Sequence, residues 1–367
     1  MHKMNQLFGI SVMCFAISCA EPAPDIDRTQ GNLIAKQDLA GEWYMMQTIT
    51  GVPPTSWFTF IGETGRTERI RWEIQRDLLV AYRSYPLVRG ADAPSTGVPF
   101  DGTDNPVAAY RIINHVDLIR DYNTATGEQS NVIVENVSDR LWHERDYVRV
   151  DWSQSLVSNF DFIAPTASVT NAAYFVPEEL GQRSPEHAED AFYRERTEDG
   201  RTHYFDVNGK MFVEPDIWGC VYTWWGFAAE DCTAAEIKMR TSFSRVEQAN
   251  DYEPFHYSDQ LLSRFGYFRT EYFTYDEQRG LTESGRRYLI NRHNIWTKTR
   301  DENGVIPIPQ RSLRTIPYYL SKNFPQDELL LEAAKASVDQ WNRALLDGLA
   351  AFEFTSEKAV FVLCQNP

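Results

Sequence analysis

Arg69-Ile-Arg-Trp-Glu-Ile-Gln75 decides the fold class, because Ile70, Trp72 and Ile74 alternate with charged or polar residues. That period of two is what a strand with one wet face requires. Tyr147-Val-Arg-Val-Asp-Trp-Ser153 repeats it with Val148, Val150 and Trp152. Apolar runs at Ser56–Phe60, Leu78–Val88, Ala108–Arg120 and Asn131–Val137 are punctuated by turn-rich stretches such as Asp101-Gly-Thr-Asp-Asn-Pro106 and Asn123-Thr-Ala-Thr-Gly127. Residues 39–165 therefore read as an antiparallel β domain, a sandwich or barrel.

Outward from there the pattern loosens. Residues 166–304 read as mixed β and α: Thr202–Val207 and Lys210–Glu214 flank Asn208-Gly209, a strong hairpin signal. Ala229–Val246 reads as a helix, Phe255–Asp276 as strand-like and Arg292–Thr297 as a short strand. After the turn at Glu302-Asn-Gly304, residues 305–367 read as an incomplete α/β unit. Ile316–Leu320 is its first strand. A helix over 326–347 follows, with Pro325 at its first turn, Asp327 and Glu328 at its positive end, a buried stripe of Leu330, Ala334, Val338, Trp341 and Leu345, and Gly348 as its stop. Phe352–Phe354 and Ala359–Leu363 close the unit as strands. The whole is β-rich α+β.

Of 367 residues, 36 are Lys or Arg and 52 Asp or Glu, a formal charge of −16. No basic face suited to nucleic acid emerges against that background. Aromatic residues make up 13%, which supports folded cores and argues against disorder. Leu7–Ile17 is too short to span a bilayer and reads as the core of a signal peptide over residues 1–18, after His2 and Lys3. Ala16-Ile-Ser-Cys19 resembles the lipobox of bacterial lipoproteins, which implies lipidation of Cys19 and a membrane partner held through the lipid anchor. Residues 19–38, with Glu21-Pro-Ala-Pro-Asp25, would be the tether, and Ala20 in place of Asp implies the outer membrane. Loss of residues 1–18 removes one lysine and no acid, leaving 35 basic residues against 52 acidic ones, or −17. Anionic lipid would repel such a body, so it needs its acyl anchor.

With Cys14 in the signal and Cys19 acylated, Cys220, Cys232 and Cys364 remain. Export permits a Cys220–Cys232 disulfide, whose spacing does not suit a CxxC zinc knuckle, and leaves Cys364 over. Dinucleotide, P-loop and α/β-hydrolase motifs are missing from the sequence. The histidines at 2, 115, 143, 187, 203, 256 and 293 include no pair four apart, so no HExxH stands in the chain. His143-Glu144 and His187-Ala-Glu189 read as polar surface rather than metal ligands, because strand neighbours point to opposite faces. Asp206 and Asn208 have the look of a calcium loop, but the glycine offset is wrong. Trp218, Trp224 and Trp225 form a cluster that suits either core filling or stacking on sugars or peptides.

Ile316-Pro-Tyr-Tyr-Leu-Ser-Lys-Asn-Phe-Pro325 and the Val-Asp-Gln-Trp-Asn ending at Asn342 resemble the entry to the catalytic domain of large bacterial zinc metalloproteases of the metzincin type. Tyr110–Asp117, Asp121–Gly127, Asn131–Asn136 and Tyr147–Trp152 are similar to the N-terminal extension of such lipoproteins. The resemblance implies an envelope protein corresponding to the non-catalytic part of a zinc protease, with no catalytic or metal-binding residue of its own. Zinc is expected only if a catalytic region lies beyond Pro367, and the unfinished α/β unit suits a chain cut inside a domain. The alternative is a stand-alone surface lipoprotein that binds protein, peptide or glycan through an aromatic-rich β surface.

Overall fold

The computed structural model describes residues 24–29, 33–54, 59–86, 106–152, 155–157, 169–174, 192–213, 235–246, 254–276, 279–321 and 324–365. In chain order come β1 (Ile26–Asp27), β2 (Leu33–Ala35), the single turn α1 (Lys36–Leu39), β3 (Glu42–Gly51), β4 (Glu68–Ile74), β5 (Leu78–Arg83), β6 (Pro106–Tyr122), β7 (Gln129–Asn136) and β8 (Tyr147–Asp151). Then follow β9 (Val169–Tyr174), β10 (Phe192–Arg196), β11 (Thr202–Val213), β12 (Ala235–Arg245), α2 (Asp259–Phe265), β13 (Arg269–Asp276) and β14 (Gly280–Ile290). The chain continues with β15 (Arg300–Asp301), β16 (Gly304–Val305), β17 (Ile316–Leu320), α3 (Glu328–Ala350) and β18 (Phe361–Gln365).

Twelve strands form one large curled sheet with the path β1-β7-β6-β5-β4-β3-β12-β11-β10, and β2, β8 and β9 pair off that path. All its pairings are antiparallel except β1 with β7. It spans the expected boundary at 165/166, since β9 to β12 continue the same sheet as β3. The β-rich α+β class stands, with strands dominating.

The core follows from the alternation. Ile70 and Trp72 on β4 and Val148 and Val150 on β8 turn inward, and Trp43, Phe205 and Phe243 are fully buried beside them. Phe205 stacks on Phe243 with ring centroids 4.6 Å apart, and Trp72 meets Phe243 at 5.1 Å. Rings of this size each bury about 150–250 Å² and dominate core energetics.

Several expectations fail. Asn208-Gly209 makes no hairpin: β11 runs straight through it, with Asn208 opposite Arg240 and Gly209 opposite Met239 on β12. A type I′ turn needs positive φ at both residues, and a strand paired along its length holds them extended. Ala235–Arg245 is a strand and not part of a helix, because Ile237, Met239, Thr241 and Phe243 are buried on alternate positions. The expected strand-like run from Phe255 is broken by α2, whose end is fixed by Gly266 at φ +68 with its N–H on the Leu262 carbonyl. Arg292–Thr297 contributes a single bridge, Trp296 to Leu313.

At the C-terminal end β17 and β18 pair in parallel, with α3 packed on β18. Asp327 caps α3, accepting from Leu329 and Leu330 N–H at 2.9 and 3.2 Å. Pro325 lies outside the helix, and Gly348 does not stop it, since α3 runs to Ala350. The buried stripe is turned from the expected one: Trp341 is 67% exposed and Leu330 47%. Val338 and Leu345 of that stripe, joined by Leu346 and Leu349, pack on a small core of Leu313, Phe354, Val360 and Phe361. Phe352–Phe354 is a turn, with Glu353 at φ +59.

Candidate functional site

Asn342, which ends the Trp-Asn motif, is the polar pin of the C-terminal unit. Its Oδ1 accepts from the N–H of Val360 at 3.0 Å and of Phe361 at 2.8 Å, and its Nδ2 donates to the Phe361 carbonyl at 2.8 Å. The unit thus assigns this asparagine a structural task.

A cleft lies elsewhere, at an irregularity in β6. Ile112 faces Val150 and Asn114 faces Arg149, so Ile113 is an extra residue between them and stands 54% exposed. A bulge of this kind bends the strand and re-aims its side chains. It opens a cleft of about 530 Å³ lined by His115, Arg76, Asp77, Ile113, Leu141 and Trp142, among others.

Two walls converge on His115. The turn between β4 and β5 brings the Arg76 carbonyl 2.8 Å from His115 Nε2, while the Asp77 carbonyl accepts from Ile112 N–H at 2.9 Å. The segment between β7 and β8 supplies the other wall and is tied down by charge. Arg140 forks onto the Asp117 carboxylate, with Nε to Oδ2 at 2.7 Å, and Asp146 N–H adds a bond to Asp117 at 3.0 Å. Arg145 donates to the His115 carbonyl at 3.0 Å and Lys36 to the Trp142 carbonyl at 2.6 Å. The Trp142 ring lies 5.0 Å from the His115 ring.

His115 is 5% exposed, and its Nδ1 has no hydrogen-bond partner. A carbonyl only accepts, so Nε2 carries the proton and Nδ1 presents a lone pair. Burial holds the imidazole pKa below its ordinary value; the Arg76 carbonyl opposes that, Lys36 and Arg145 reinforce it, and Asp77 opposes it. Asp117 is held below the usual carboxylate range by its bonds to Arg140 first, with the Asp146 N–H adding to it against burial. Burial lowers Lys36 too. The Arg76 guanidinium makes no hydrogen bond or ion pair among the described residues. Nucleophile and general base do not meet here: Ser138 turns to Asp139 at 3.1 Å. The cleft's lining is mostly charged and polar, with Ile112, Ile113, Leu141 and Trp142 as the apolar members.

The residues singled out from sequence fall otherwise. Cys19, Cys220, Cys232, Trp218, Trp224, Trp225 and His187 lie outside the described residues. Cys364 sits half-buried on β18 as a free thiol. His143 is exposed, with its ring edge on Trp142 at 5.5 Å. Asp206 is no calcium ligand: it is 2% exposed and accepts from the Tyr204 hydroxyl at 2.9 Å, a phenol whose pKa burial pushes up to about 12. Among the described residues no three His, Cys, Asp or Glu side chains come together to hold a metal. No helix among them is long and apolar enough to cross a membrane. The sequence carried one trace of the cleft, the pair His115 and Asp117 on one side of a strand in an otherwise apolar run. The partners from 76 and 140–146 left none. Compared with protein-family models, curated proteins and solved structures, the chain matches none of them.

Proposed function

We propose that the chain is a non-catalytic recognition protein of the bacterial envelope, anchored at the outer membrane through Cys19, which receives part of a protein or peptide in the cleft at the β6 bulge. One observation carries this reading: the bulge at Ile113 opens a cleft in which the exposed Arg76 guanidinium makes no hydrogen bond or ion pair among the described residues. Residues 316–365 are proposed as a unit resembling the entry of a zinc-peptidase domain. In support, both stretches that carry the resemblance fall in one strand-helix-strand arrangement, pinned by Asn342. The test is direct. The chain from Cys19 onward, incubated with a peptide library, should retain peptides in a manner lost in Arg76→Ala and should cleave none. Cleavage of any peptide by the purified chain sinks the non-catalytic reading, and retention indifferent to Arg76 sinks the cleft.

A second reading, glycan binding through aromatic rings, is favoured by the surface around α2. Phe265, Tyr267 and Phe268 stand 60%, 59% and 86% exposed, and the first two rings stack at 6.5 Å.

A further inference from the structure

Resting on the anchor at Cys19, we infer that the tip of the β6–β7 hairpin is the membrane-facing end of the protein, seated at the lipid headgroups. Chain length and strand direction carry the inference. From Pro24 onward the chain is fastened to β7: Ile26 faces Val132 and Asp27 faces Ile133, and the Arg28 N–H donates to the Ile133 carbonyl at 3.0 Å. Asn131 Nδ2 donates to the Pro24 carbonyl at 2.7 Å, and Arg120 pairs with Asp25 at 2.8 Å. Only five residue steps separate Cys19 from Pro24. An extended chain covers no more than about 3.6 Å per step, so the acylated residue lies within about 18 Å of Pro24. Because β1 runs parallel to β7, and β7 leads away from the hairpin tip, Pro24 stands at the tip end of the pair. Tip and anchor share one end of the arm.

The chemistry of the tip suits that surface. Residues 121–129 are exposed, and Tyr122 through Gly127 carry no charge in a chain of formal charge −16. Anionic lipid repels an acidic body, so an uncharged hairpin end approaches it at the least electrostatic cost. The two flanking acids turn back on the hairpin: Asp121 Oδ1 accepts from the Tyr122 N–H at 2.9 Å and Glu128 Oε2 from the Thr126 hydroxyl at 3.5 Å. Tyr122 is 55% exposed and offers an apolar ring with a polar end, the kind of side chain that settles at a membrane interface. The turn is closed by the Asn123 N–H on the Glu128 carbonyl at 2.9 Å and the Gly127 N–H on the Asn123 carbonyl at 2.7 Å, with Gly127 at φ +73. Ile113, at the bulge, lies nine residues back from Tyr122 on the same strand, about 30 Å at the rise of a β-strand. A cleft at that distance from a lipid-seated tip meets partners close to the membrane surface.

The experiment uses the acylated full chain, purified from membranes and reconstituted into vesicles of phosphatidylethanolamine and phosphatidylglycerol. An environment-sensitive fluorescent amino acid replaces Thr124 in one protein and Ile113 in another, and lipids spin-labelled at the headgroup act as quencher. Several-fold stronger quenching at position 124 than at 113 is expected. Equal quenching, or more at 113, overturns the inference and leaves the anchor intact. Inserting twenty Gly and Ser residues after Pro22 lengthens the link from Cys19 to a mean span of about 28 Å. Quenching at 124 should then fall to the level at 113, and quenching that survives the insertion shows that the short link does not seat the tip, which also overturns the inference. Cys19→Ser tests the anchor separately: the variant should leave the membrane fraction, and its retention there overturns the anchor and this inference with it.

Discussion

The large sheet and the C-terminal strand-helix-strand unit spend their apolar residues differently. In the sheet, Trp43, Phe205 and Phe243 are 0% exposed and interlock with Trp72, Tyr110 and Trp152. The C-terminal unit buries Leu313, Phe354, Val360 and Phe361, while Leu329 stands 75%, Trp341 67% and Tyr319 61% exposed. Parallel strands are ordinarily covered on both faces. Here α3 packs on β18, and what aligns them is a buried side-chain amide as much as area. Area holds the first region together and hydrogen-bond geometry the second.

The strongest way to break that contrast is Phe243→Ala. Removing a ring from a closed aromatic core should cost about 3–5 kcal/mol, read as a shift in the urea midpoint with little change in slope. A loss below 1 kcal/mol would mean that the sheet core collapses around the gap and is not the rigid partner in the comparison. Next comes Asn342→Ala, which strands the N–H groups of Val360 and Phe361 and the Phe361 carbonyl and should cost about 2–3 kcal/mol. Amide exchange should accelerate at Val360 and Phe361 and stay slow in β3 and β12. If both regions exchange faster together, they are one cooperative unit and the contrast dissolves.

The contrast also governs what the sequence discloses. Strands with one wet face announce themselves by period two, as 69–75 and 147–153 do, and the structure keeps both as β4 and β8. β12 hides its period behind helix-forming residues, Ala-Glu-Ile-Lys-Met-Arg, and only the neighbouring strands β3 and β11 impose extension on them. The same neighbours overrule the Asn-Gly turn. On α3 the helix is legible and its inward face is not, since Trp341 is apolar yet faces out while Asn342 faces in. The site is the least legible part. His115 meets Arg76 and Arg145 across 39 and 30 residues of sequence, and nothing local foretells a bulge at Ile113.

Smaller in effect is the ion pair that fastens the cleft wall. Asp117 is released by Arg140 at a lower pH in the folded chain than its unfolded value of about 3.9, so its contribution is complete above that value and drains as pH falls through the lower folded one. Arg140 is 44% exposed, and solvent screening keeps the pair weak. Asp117→Asn should therefore be less stable than the parent at neutral pH and converge with it in acid. A gap that persists undiminished at low pH would assign the effect to packing instead of charge.

The smallest effect sharpens the comparison most. Trp341→Ser removes a large apolar side chain that the structure leaves 67% exposed, so it should change stability by less than about 0.5 kcal/mol. Phe243→Ala and Trp341→Ser each delete an aromatic ring, the first from a buried position on β12 and the second from an exposed one on α3. A Trp341→Ser loss of 2 kcal/mol or more, on the scale of about 2–5 kcal/mol for emptying a core site, would show that this face of α3 is covered in solution and that the C-terminal unit is as closed as the sheet. The two variants measured side by side in urea, with fluorescence of the remaining tryptophans as the signal, decide between an uncovered helix face and a second core.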